Sequence, residues 1–198
     1  LAATLGLGPD VLTPQERAFI AGLPELRVAI PLPAVRPYEV IGADGEVSGI
    51  HPDMLGYLAN AFRLRVRPVL FPTFGAALEA LRTQQADLMM TLGYTASRAA
   101  FAEYTLGVTP LAGALFTRGS GAGGDEAALQ RGRFAVERDF AANDYLRRQY
   151  PNAQILTVDT TGQALAAVAD GRATHYLGGL LTTLDWLTRE PVPGIEIN

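Results

Sequence analysis

The chain has 198 residues, 48% of them hydrophobic and 18% charged, which is enough apolar material for a packed core and too little charge for a disordered chain. The net charge of −4, without any block of basic residues, excludes a nucleic-acid footprint. The absence of cysteine excludes disulfides, thiolate metal sites and cysteine nucleophiles.

Residues 1–10 are small, Gly-containing and aperiodic, and read as a linker. They lack the positive region of a signal peptide, so the chain reads as a mature protein or an excised domain. No apolar run approaches the roughly 20 residues that span a bilayer. Thr13-Pro14-Gln15-Glu16 is a helix start, with Thr13 as cap, Pro14 in the first helical position and Glu16 three residues after the cap. That helix runs to Ala21 and ends at Gly22. Residues 27–30 form a short strand that enters a proline-rich loop, 31–37. Two short extended segments, 38–41 and 46–48, flank Asp44-Gly45, a hairpin signal. A helix over 53–62 follows, with Asp53 as its cap and Met54, Leu55, Leu58, Ala61 and Phe62 on one stripe. Then come a strand at 65–70, a helix at 74–82 and a strand at 87–91. Strands and helices at this spacing imply βαβ units on a parallel sheet.

GSGAGG, residues 119–124, is the clearest break, and it lacks the Lys-Ser/Thr of a phosphate loop. The alternation then resumes: strands at 134–136, 154–158 and 174–177, and helices at 142–150, 162–169 and 180–187. Two α/β units joined by extended segments imply two lobes with a cleft, and open α/β sheets bind ligands beyond the carboxyl ends of their strands.

Three blocks, RPYEVIGADGEVSGIHPDML, ALEALRTQQADLMMTLGYTASRAAFAEYT and ALAAVADGRATHYLGG, resemble the polar-amino-acid type (family 3) of periplasmic solute-binding proteins. The leader LTPQERAFIAGLPELRVAI is similar to the Venus flytrap domains of BvgS-like sensor histidine kinases. The resemblance covers residues 25 to 190. It implies a two-lobed α/β Venus flytrap fold, each lobe a sheet sandwiched by helices. Residues 1–24 are then linker and first helix, 25–108 lobe 1 and 109–198 lobe 2, with the first crossing near 105–116. A lobe-two strand is expected near 194–198, and the closing elements of lobe 1 beyond it are expected to be missing, disordered or supplied by another chain.

The resemblance also nominates residues. Arg98, with Thr95 beside it, matches the family's clamp for a ligand carboxylate. A planar guanidinium offers two parallel donors that suit this task. The alternative is a surface arginine opening a short helix, 99–102. Gly93 stands where the family often has Ser or Thr, so one ligand donor is absent. Tyr38 matches a residue lining the lobe-one wall, and packing in the core is the alternative. Asp139-Phe140 stand where the family presents Gly and Ser/Thr at a helix N-terminus, and Gly179 stands where amino-acid binders carry an Asp for the ligand's amine. An acid repels a carboxylate, Phe donates nothing, and a buried ammonium without its counter-charge costs several kcal/mol. Asp139 as an amine partner is the remaining route to an amino acid.

His51 and His175 have no metal-ligand spacing and read as structural, as do Met89, Met90 and Trp186. No catalytic triad order, metal site or cofactor motif emerges. The expected role is a periplasmic sensory or solute-binding domain of a two-component sensor histidine kinase, without catalysis of its own. It closes on a small solute (an amino acid or small carboxylate) or signals without a ligand. Its expected partners are a neighbouring flytrap domain or the kinase dimer partner, and it meets the membrane only through the rest of the protein. The alternative is a free substrate-binding protein of an ABC transporter.

Overall fold

The structure, a computed structural model, describes residues 8–107, 109–119 and 126–198. Packing divides the chain between Leu92 and Gly93 into two units.

In unit 1, helix α1 (Pro14–Ala21) opens on the capping box its sequence predicts. The Thr13 hydroxyl accepts the Glu16 amide at 3.2 Å, and the Glu16 carboxylate accepts the Thr13 amide at 2.7 Å. Strand β1 (Leu26–Pro31) follows, then the small hairpin of β2 (Val40–Ile41) and β3 (Val47–Ser48), which turns through Gly45 at φ +84°. Helix α2 spans Ile50–Phe62, strand β4 Val66–Phe71, helix α3 Phe74–Arg82 and strand β5 Leu88–Met89. The three longer-range strands form a parallel sheet in the order β4-β1-β5. The central strand buries Val28, Ala29 and Ile30. Small residues let α3 lie close to it: Ala77 and Ala80 pack with Ala29 and Ala86. Arg27 at the start of β1 grips Asp87 at the start of β5 through Nε at 2.9 Å and Nη2 at 2.8 Å, and holds that carboxyl down to about 2.

Helix α2 begins at Ile50, not Asp53, and Asp53 caps nothing. Gly49 is the N-cap, at φ +115°, and a Cβ there would lie 2.8 Å from the Tyr38 carbonyl oxygen. Only glycine permits both the dihedral and the approach. Asp53 falls in the first turn, where its carboxylate still suits the positive end of the helix dipole.

Unit 2 contains β6 (Gly113–Arg118), α4 (Glu126–Gln130), β7 (Arg133–Glu137), α5 (Ala141–Gln149), β8 (Gln154–Val158), α6 (Thr161–Ala169), β9 (His175–Gly179), α7 (Leu180–Arg189) and β10 (Ile195–Ile197). Its sheet has the order β10-β6-β9-β7-β8. Strands β7, β8 and β9 are parallel, whereas β6 runs antiparallel to both β9 and β10. The sheet is therefore mixed. Phe116, Ala135, Leu165, Val168 and Tyr176 make its core with α6, and Trp186 of α7 packs against the same cluster. A Cβ on Gly162 would come within 2.6 Å of the Trp186 ring, so glycine is what lets α7 close on α6. Of the expected break at 119–124, only Gly119 lies among the described residues, at φ +76°.

Candidate functional site

Six of the seven residues nominated from sequence fall in unit 2. The loop after β5 carries Gly93 and Thr95 into a short turn of 3-10 helix, Arg98–Ala100. Thr95 is turned inward: its hydroxyl accepts the Arg98 amide at 3.2 Å and lies 2.9 Å from the Ser97 hydroxyl. Arg98 is only 6% exposed. Its Nη1 donates to the Gly93 carbonyl at 2.7 Å, and its Nη2 donates to the Asp139 carbonyl. One N–H on each terminal nitrogen is thus committed to a main-chain oxygen of the same unit. Burial pushes the Arg98 pKa down, and the charges of Tyr104, Asp144 and Asp139 oppose that shift. Gly93 takes a second bond on its carbonyl from the Tyr104 hydroxyl at 3.3 Å, and a Cβ there would press on the Ala141 methyl at 3.3 Å.

The Asp139 carbonyl reaches Arg98 because of the turn between β7 and α5. Asp139 sits at φ +62°, a left-handed conformation that Asp tolerates better than most residues. Asn143 braces the turn by donating from Nδ2 to the Glu137 carbonyl at 2.8 Å and to the Phe140 carbonyl at 3.0 Å. Phe140 is the N-cap of α5 and has no side-chain cap bond. The Asp139 side chain is exposed. Gly179 ends β9 and caps α7, and its carbonyl accepts the Thr183 hydroxyl at 2.8 Å. A Cβ there would make ordinary contacts with Thr182 at 3.4 Å and 3.5 Å, so the site has room for a side chain that the sequence does not supply.

Beneath the turn lies Glu137, the last residue of β7. The Glu137 carboxyl is buried, and its Oε1 accepts the Tyr176 hydroxyl at 2.5 Å and the Thr161 hydroxyl at 2.9 Å. The Thr183 oxygen, whose proton goes to the Gly179 carbonyl, lies 3.4 Å from the Tyr176 oxygen. Burial raises the Glu137 pKa, and burial with the adjacent carboxyl raises that of Tyr176 well above its ordinary value.

The seventh nominated residue, Tyr38, belongs to unit 1. It is 3% exposed and stacks on the His51 ring with centroids 5.0 Å apart. Next to it, Glu39 is fully buried and accepts the Thr91 hydroxyl at 2.8 Å, while His51 Nδ1 lies 2.8 Å from the same hydroxyl oxygen. Neither Glu39 nor Thr91 stands out in the sequence. No signal there joins them, because 52 positions separate the pair.

The family model for bacterial extracellular solute-binding proteins, family 3, matches residues 26–165. The chain belongs to that family. The virulence sensor protein BvgS of Bordetella pertussis is 28% identical over 186 residues, covering 88% of this chain. The chain spans 14% of that relative's length. The VFT2 domain of Bordetella pertussis BvgS superposes with a TM-score of 0.78 at 24% identity, covering 93% of this chain and 79% of that one. A histidine kinase sensor domain with similarity to periplasmic binding proteins superposes with a TM-score of 0.77 at 19% identity, covering 87% and 75%. These likenesses establish the α/β Venus flytrap fold for this solute-binding-family chain. Among the described residues no cluster of His, Asp and Glu suits a metal ion, and no helix is long and apolar enough to cross a membrane.

Proposed function

We propose that this chain is a periplasmic sensory domain of a two-component sensor histidine kinase, and that it acts through the conformation of its two units rather than through catalysis. The similarity to BvgS and to a histidine kinase sensor domain supports the sensory role. Within this reading residues 25–108 follow the chain course of lobe 1 and residues 109–198 that of lobe 2, so residues 93–108, with Arg98, end lobe 1 in chain course while packing in the same compact unit as Asp139. Ligand or neighbouring domains set the balance between open and closed states by their differential affinity for each. The partners are a small solute or none, together with a neighbouring flytrap domain or the kinase dimer partner.

The observation that carries the choice of a sensor over an amino-acid carrier is the state of Arg98. The arginine at the family's clamp position is buried and bonded to the Gly93 and Asp139 carbonyls of its own unit. Phe140 and Gly179 bring no side-chain donor or acid, and the exposed Asp139 carboxylate disfavours an anionic group. Arg98 acts here as an internal brace of the turn before α5, with Thr95 holding its backbone. The small solute, where one is used, is not a zwitterionic amino acid held in the family's usual manner.

The test is autophosphorylation of the full-length protein in membrane vesicles, wild type against Arg98→Ala. A sensor in which Arg98 braces the signalling state changes its basal kinase output without added ligand. An unchanged output, or a full-length protein without a kinase, counts against the proposal and favours a carrier for a transporter.

A further inference from the structure

Unit 1 holds a buried acid that the proposed signalling role does not use. Glu39 lies in the turn before β2 and is 0% exposed. Its Oε1 meets the Thr91 hydroxyl at 2.8 Å, and its Oε2 is buried with no hydrogen-bond partner among the described residues. Thr91 lies two residues beyond β5, and its oxygen is also 2.8 Å from Nδ1 of His51, the second residue of α2. Three separate elements therefore converge on one hydroxyl. A backbone bond from the His51 amide to the Tyr38 carbonyl at 3.0 Å ties α2 to the turn, and one from the Glu39 amide to the Val35 carbonyl at 3.0 Å closes the turn on itself.

A hydroxyl has one proton to give, so this chain of bonds has a direction. With Glu39 ionised, Thr91 donates to the carboxylate and must accept from His51, which then carries its proton on Nδ1. With Glu39 protonated on Oε1, the acid donates to Thr91, and Thr91 donates to a bare Nδ1. Both arrangements fit the same heavy-atom distances. They differ in that the first leaves a buried negative charge that only Thr91 hydrogen-bonds, whereas the second leaves no charge. An uncompensated charge in such a place is costly.

We propose that the Glu39–Thr91–His51 chain is a proton-operated switch in unit 1, which tightens the junction of the pre-β2 turn, the α2 N-terminus and the Thr91 segment when Glu39 takes up a proton and loosens it when the proton is lost. The titratable groups nearest to this chain of bonds are His51, which shares the Thr91 hydroxyl, and Tyr38, which stacks on the His51 ring. The segment after β5 contributes the Thr91 hydroxyl and the Thr91 main chain, and no charged side chain pairs with Glu39 among the described residues. Thr91 directly precedes Leu92, where the chain leaves unit 1, so the loosened segment is the one leading out of it. The proposal stands on unit 1 alone and does not depend on the sensory reading.

The titration agrees in sign. Burial raises the Glu39 pKa from its ordinary 4.5 to about 7, against the opposing effect of Thr91. A carboxyl raised in this way contributes stability that is fully present below pH 4.5 and is lost as pH rises through about 7. Burial pushes His51 down, so its contribution runs the other way and is lost only as pH falls below its ordinary 6.5.

The experiment is thermal denaturation of wild type and Glu39→Gln between about pH 6 and pH 8.5, a window that brackets the Glu39 titration. The wild-type Tm falls on the order of 5 °C across it, and the variant, which mimics the neutral acid, stays flat. Nitrogen-15 NMR of the two histidine side chains in the wild type requires no variant. There the His51 ring nitrogens exchange tautomer with a midpoint near 7. A wild-type Tm that does not change with pH, a Glu39→Gln variant that keeps the fall, or a His51 tautomer constant across the window overturns the proposal.

Discussion

Each unit buries one glutamate, and the two are held in different ways. Glu137 in unit 2 lies in the core at the end of β7, where Tyr176 and Thr161 both donate to one oxygen and Thr183 backs the tyrosine. Its two donors come from β9 and α6, regular elements that already pack together. Glu39 in unit 1 has a single hydroxyl donor, and that hydroxyl is shared with a histidine. Its neighbours are a turn, a helix start and a strand exit. Two hydroxyl donors from packed elements brace Glu137, whereas Glu39 depends on one hydroxyl that it shares with His51. The brace also serves the site, because Glu137 leads directly into the turn whose Asp139 carbonyl holds Arg98.

The largest effect is expected where the brace is cut. Tyr176→Phe removes the shorter of the two bonds to a buried carboxyl and is expected to cost about 2–3 kcal/mol in urea denaturation. A loss below about 0.5 kcal/mol erases the contrast between the two glutamates. Thr91→Val removes the bridge in unit 1 and is expected to cost about 1–2 kcal/mol near pH 8, where Glu39 is ionised, and clearly less near pH 5.5. Equal costs at both pH values contradict a switch. Arg98→Ala removes two bonds to carbonyls that water can then reach, and is expected to lower unfolding free energy by about 1 kcal/mol in the absence of any ligand. The smallest effect has the opposite sign: Asp139→Gly relieves a left-handed non-glycine residue and is expected to stabilise by about 0.5 kcal/mol, provided that the bond from Arg98 survives. Guanidinium denaturation of the single and double variants with Arg98→Ala checks this, since independent effects add and shared ones do not.

Much of the fold was legible because it depends on neighbouring residues. The capping box at Thr13, the turn at Gly45, helix α3 and strand β8 rest on spacings of a few residues, and the structure has them where the sequence indicates. The start of α2 is not legible, because Asp53 is a good cap by residue type. Gly49 wins through a positive φ and a close approach to Tyr38 that no local pattern shows. Strand β6 was hidden within the expected crossing, since Gly113–Arg118 neither alternates nor runs fully apolar, and its antiparallel pairing with β9 and β10 is long-range. The partners of the nominated residues were not legible. Arg98 stood out, but main-chain carbonyls 5 and 41 positions away leave no mark in a side-chain pattern. The same holds for Glu39 and Thr91, whose meeting is a property of the folded unit.

The measurement that bears most directly on the account is the thermal shift of the wild-type chain and Arg98→Ala against a panel of the common amino acids at millimolar concentration. If Arg98 is an internal brace, no amino acid raises the wild-type Tm by more than about 1 °C, and Arg98→Ala melts lower than wild type with or without the panel. An amino acid that raises the wild-type Tm by several degrees, with the rise abolished in Arg98→Ala, would show that the guanidinium is a ligand clamp after all.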